Sequence, residues 1–170
     1  MSSGLRFCLV ALTVALTCLT AHAFAKKPAE LWSFFYFDGT AFVAGRPAPM
    51  TPFVALRDGF LPVVETRDER IREVKMPEGT GALVGICYVQ SHGGKLQAAG
   101  GVDPVPMLPV QVLSGDKAVA AVQSDSNGFF IVNLAPGTYR ISGNNRFTEV
   151  TVVKGKVIFA PLRVGKRMVD

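Results

Sequence analysis

From about residue 31 to residue 164 the chain is written in short apolar runs punctuated by Gly, Pro, Asn and Asp, and no segment carries the spacing of an amphipathic helix. The pattern is densest after residue 80. Strands are expected at 82–90, 109–113, 118–123, 128–134, 138–142, 147–153 and 157–164. In the first of these, Val84, Ile86 and Tyr88 share a face. Ser114-Gly115-Asp116-Lys117 and Lys154-Gly155 read as tight turns between neighbours. Seven strands this short and this close, without crossover helices, predict an all-β protein, a seven-stranded antiparallel Greek-key sandwich over 81–164.

The stretch from Ser124 to Arg140 shows how the strands are delimited. Asp125-Ser126-Asn127-Gly128 is turn chemistry, because Asp and Asn bond nearby backbone and Gly takes positive φ without steric cost. Phe129 to Leu134 is apolar on both faces except at Asn133, as in a strand covered on both sides. Ala135-Pro136-Gly137 interrupts it and Thr138-Tyr139-Arg140-Ile141 resumes. Tyr139 is placed to bury its ring and return its hydroxyl to backbone near Leu134, a tyrosine corner.

Ahead of this region the pattern changes character. Leu31-Trp32-Ser33-Phe34-Phe35-Tyr36-Phe37 is aromatic and strand-prone, and Asp38-Gly39 separates it from a second apolar run at 40–44. A similar pair, 53–56 and 60–64, flanks Arg57-Asp58-Gly59. The resulting small β-hairpin-rich segment, 26–64, is too short to bury its own rings. It is expected to dock on the sandwich through Phe35, Phe37 and Phe53, with Trp32, Phe34 and Tyr36 on the opposite face. Residues 65–80 are dense in charge and read as a linker or exposed edge strand, and 165–170 as a basic tail.

Four motifs in order carry a family resemblance: Gly81-Ala82-Leu83-Val84-Gly85, Pro109-Val110-Gln111-Val112, Ser124-Asp125-Ser126-Asn127-Gly128-Phe129-Phe130, and Leu134-Ala135-Pro136-Gly137-Thr138-Tyr139-Arg140-Ile141. The run resembles the carboxypeptidase regulatory-like domain, a prealbumin-type (transthyretin-like) sandwich, over about half the chain. The resemblance implies a non-catalytic module of exported or surface proteins, and it supplies no catalytic residues. The chain departs from that pattern at 91–108, where a long Gly-rich connection stands in place of a short link, and residues 26–80 lie outside it.

Charge and cysteine usage alter this picture little. Residues 1–23 read as a signal peptide: Arg6, an uncharged apolar run at 8–20, and small-x-small sites at Ala21-His22-Ala23 and Ala23-Phe24-Ala25. Export to the periplasm, cell surface or exterior follows, with no membrane span after cleavage. Losing Arg6 reduces the net charge from +5 to about +4, spread without the basic stripe a nucleic-acid partner requires. Of three cysteines only Cys87 remains, expected as a buried inert thiol, with an intermolecular disulfide as the alternative.

Candidate chemistry is sparse. Trp32 and Tyr36 form a row suited to stacking on a sugar or docking a protein, and the 91–108 connection holds His92 and Lys95 near Asp103. These four residues are the ligand-binding candidates. No catalytic residue, metal ligand or cofactor is assigned. Asp125-Ser126-Asn127-Gly128 lacks the later bidentate Glu of a calcium loop. Tyr139-Arg140-Ile141-Ser142 is similar to the terminal signature of transthyretin-related hydroxyisourate hydrolases, but is internal and lacks its Gly. The expectation is a non-enzymatic module binding another envelope or surface protein, with a carbohydrate-binding module as the alternative and a small hydrolase using His92 behind both.

Overall fold

The computed structural model describes residues 32–67, 71–93 and 101–169, with the backbone alone at 92, 93, 168 and 169. The leader at 1–23 and Lys95 lie outside the described residues. The described chain is all-β. Its strands are β1 (Ser33–Phe37), β2 (Phe42–Ala44), β3 (Phe53–Leu56), β4 (Val63–Glu65), β5 (Gly81–Gly93), β6 (Gly101–Pro104), β7 (Pro109–Ser114), β8 (Lys117–Gln123), β9 (Phe129–Leu134), β10 (Gly137–Gly143), β11 (Arg146–Val152) and β12 (Val157–Val169).

They form three sheets. A front sheet has the order β2-β1-β3-β4, a back sheet β11-β10-β7-β8, and a middle sheet runs from β12 to β5. The other edge of β5 pairs with β9 over its first half and with β6 over its second. The middle sheet is consequently buried on both faces, and alternation along β5 divides its side chains between two cores. Leu83 and Cys87 join Val110, Val112, Phe130, Ile141 and Leu162 against the back sheet. Val84 and Ile86 join Val54 and Phe129 against the front sheet, flanked by Phe35, Phe37, Phe42, Tyr88 and Phe159. The back sheet's outward positions are largely polar, as expected of a sheet with one wet face.

The front segment docks as its pattern predicted, with one correction. Phe35 packs at a tilt against Phe159 at 5.0 Å between ring centroids, Phe37 likewise against Tyr88 at 4.9 Å, and Phe42 lies almost flat on Phe159 at 4.5 Å. Phe53, however, is on the other face. The antiparallel register sets Phe34 opposite Ala55 and Phe35 opposite Val54, so Val54 points at the middle sheet and Phe53 packs edge-on to Phe34 at 5.6 Å.

Three further differences concern the sandwich. The 91–108 connection is not loop throughout: β5 extends to Gly93 and β6 folds back on it, Ser91 lying opposite Gly101, so eight strands follow residue 80. The expected tail at 165–170 instead continues β12 through Val169. The β5–β12 pairing is parallel, with a bulge between Arg163 and Gly165, while the other strand pairs are antiparallel. No crossover helix is required, because strands of the back sheet carry the chain from one strand to the other.

Candidate functional site

A groove of about 820 Å3 opens at the end of the front–middle interface. Turn chemistry builds its rim. After β1, Asp38 Oδ1 accepts the N–H groups of Thr40 (2.8 Å) and Ala41 (2.9 Å), and the Asp38 N–H donates to Ala41 O (3.0 Å). The Ala41 and Thr40 amides hold the Asp38 carboxyl below its ordinary pKa. The turn reaches over β6 at Gly39, where an added Cβ would stand 3.1 Å from Val102 Cγ2.

A second turn closes the opposite rim. Asp125 Oδ1 accepts the N–H groups of Asn127 and Phe129, both at 2.8 Å. Gly128 completes this turn at φ 82°, and a Cβ there would lie 2.9 Å from Cys87 O. A β-branched residue would meet both strain and backbone, which explains the glycine. Ser126 and Asn127 thereby line the groove together with Thr40, Thr51 and Pro52 and the apolar Phe37, Ile86 and Phe129.

Several polar side chains of the groove hold its walls. Ser91 Oγ donates to Asp103 Oδ2 at 2.7 Å, fastening β5 to β6. Gln90 Oε1 accepts from Arg163 at 2.8 Å. Behind the wall, buried Ser124 Oγ accepts the Leu108 N–H and donates to Val105 O, each at 2.9 Å. Cys87 is fully buried beneath this end of β5, and burial pushes its thiol up to about 12. That is the inert thiol expected of the sequence, and it places the thiol out of reach of a partner's cysteine.

The described candidates Trp32 and Tyr36 are not among the groove residues. Trp32 stands just ahead of β1, and Tyr36 lies on its outward face. Both are half-buried. Trp32 lies 6.4 Å from Phe60, and the Arg57 guanidinium sits 6.0 Å from its ring while ion-paired to Glu73. Arg46 covers Phe34 at 4.1 Å. The outer row is thus a sheet face dressed by arginines. His92 is on β5 opposite Met168, two residues beyond groove-lining Gln90. The groove residues Asp38, Thr40, Ser126 and Asn127 were legible only as turns, since nothing local says that two turns so distant in sequence will face each other.

No protein-family model and no curated protein matches the chain. Among solved structures, the crystal structure of GBS52, the minor pilin of the Gram-positive pathogen Streptococcus agalactiae, is similar at 13% identity, with a TM-score of 0.40. The match covers 76% of this chain and spans 66% of that structure's length. The chain is a β-sandwich carrying an added front sheet. Among the described residues no helix is long and apolar enough to cross a membrane.

Proposed function

We propose that this is an exported, non-enzymatic β-sandwich module of the periplasm or cell surface that binds another protein in the groove between its front and middle sheets. The observation that carries this reading is the construction of the groove: an apolar floor of Phe37, Ile86 and Phe129 beneath a rim of turn backbone, hydroxyls and amides. Such a lining suits an extended segment, whose apolar side chains find the floor while its peptide groups meet the rim. Three side chains with reactive potential are already employed structurally: Ser91 holds Asp103, Asp38 caps its turn, and Cys87 is buried. The carboxypeptidase regulatory-like resemblance supports the same reading, because its motifs fall on the turn at Asp125 and the Tyr139 corner, which shape strands rather than perform chemistry.

A photo-crosslinking residue at Ser126 tests this in cells. It should capture one discrete envelope protein, whereas the same residue at Thr138, on the outer face of the back sheet, should not. Thr40→Arg with Asn127→Arg should abolish the capture while the melting temperature holds. Polysaccharide binding that disappears in Trp32→Ala would favour the carbohydrate alternative, and turnover lost in His92→Ala would favour the hydrolase.

A further inference from the structure

The sheets end in several edges, and most carry a recognised guard against pairing with another chain. β2 and β4 are three residues each. β6 has four residues and ends in Pro104. β12 contains Pro161, a bulge, and Arg163, Lys166 and Arg167. β11 presents Arg146 and Glu149. The free edge of β9 faces a cleft walled by Pro62, Val63 and Val64.

β8 differs. It is seven residues long, ends the back sheet, and from Ala118 to Val122 has neither charge nor proline. Its outward side chains are small or apolar, with Val119 46% exposed and Ala121 also exposed. One bulge, where Val112 pairs with Ala120 and Leu113 with Ala118, leaves Val119 unpaired and 120–123 as the regular stretch. The Ser124 N–H donates to Leu108 O at 3.0 Å, and alternation along an antiparallel ladder then turns the backbone groups of Gln123 and Ala121 away from β7.

We propose that this edge pairs antiparallel with the β8 edge of a second copy, about a two-fold axis at Ala121, joining two back sheets into one. The strand is self-complementary in that register. Ala121 meets its own copy, Ala120 meets Val122, and Val119 meets Gln123, so no like charges stand opposite and small residues occupy the axis. Lys117 of each copy is carried toward the end of the partner strand that leads into Asp125, a pairing of opposite charge repeated on both sides of the axis. The proposal does not rest on the groove's ligand, although the Asp125 turn that follows β8 lines one part of the groove.

The test is sedimentation of the purified protein over a dilution series, with single exchanges on each edge of the back sheet. A reversible dimer is expected. Ala121→Lys sets two lysines against each other and should weaken association about tenfold or more, while Thr151→Lys on β11 leaves it unchanged. Under mild oxidation Ala121→Cys should form a disulfide-linked dimer faster than Thr151→Cys, with Cys87 too buried to interfere. A monomer at every concentration would overturn the proposal. So would a dimer indifferent to Ala121→Lys, or equal cross-linking rates for the two cysteines.

Discussion

The two faces of the middle sheet are covered by different chemistry. Toward the back sheet the contacts are mostly aliphatic, and Leu83, Val110, Val112 and Ile141 are wholly buried. Toward the front sheet they are aromatic, and Phe35, Phe37, Phe42 and Phe159 are only half-buried although they pack ring against ring. The difference teaches how a short segment without a core of its own is held. A strand of five residues has few side chains to bury, so large rings supply the area that Val or Ala could not. Rings at the margin of an interface also leave space between them, and Phe37 and Phe129 line the groove that opens there.

If the aliphatic face is the close-packed one, the most damaging exchange should lie there. Gly85 has no room for a side chain: an added Cβ would stand 2.1 Å from Phe130 Cζ and 2.5 Å from Ala160 O. Gly85→Val should therefore cost about 3 kcal/mol or more, seen as loss of soluble folded protein or a collapsed denaturation midpoint. An unaltered midpoint would show that this face is looser than described.

On the aromatic face, Phe159→Ala removes the ring that touches both Phe35 and Phe42. A cost of about 2–3 kcal/mol is expected, below that of a fully buried Phe because the site is half-open and the neighbouring rings can settle inward. Equilibrium urea unfolding reads it directly. A loss below about 1 kcal/mol, the worth of a single hydrogen bond, would mean the front sheet contributes little.

The Tyr139 corner is a smaller contribution. Its hydroxyl donates to Ala135 O at 2.9 Å, as the sequence suggested, but the ring is half-buried rather than largely enclosed. Tyr139→Phe should cost about 1 kcal/mol or somewhat less, since water can replace the lost donor at Ala135. An unchanged midpoint would remove the corner from the account.

The smallest effect is in the pH dependence. The folded state depresses the Asp38 pKa, so its contribution is present above the unfolded carboxyl value and is lost as pH falls through the lower folded value. Asp38→Asn should lower stability slightly near neutrality and converge with the wild type at acid pH, flattening the acid side of the curve, checked by melting from pH 6 down to about 3. A parallel shift of the whole curve would indicate another role for the carboxyl.

Much of this architecture was legible because its signals are local. The Asp125 turn, positive φ at Gly128, the Tyr139 hydroxyl and the facing of Phe35 and Phe37 follow from residues a few positions apart. What was not legible depends on pairing. Phe53 changed faces because the β1–β3 register, invisible in either strand alone, sets Val54 opposite Phe35. The basic end of β12 became strand because β5 runs on to Gly93 beside it, offering backbone partners that outweigh a charged composition. Residues 101–104 read as loop for their glycine and proline, yet β5 supplies their ladder and Ser91 fastens Asp103. The groove escaped sequence reading for the same reason, being assembled from turns that meet only in three dimensions.

The central claim is that the front and middle sheets form one cooperative unit joined by aromatic packing. Native-state hydrogen exchange tests it most directly, because it reports the opening free energy of each strand separately. Amides of β1 and β3, Phe35 and Val54 among them, should exchange with the same free energy and denaturant dependence as those of Val84 and Cys87 in β5. If the front strands instead open at a fraction of that free energy while β5 stays protected, the front sheet is an appended flap and the account is contradicted.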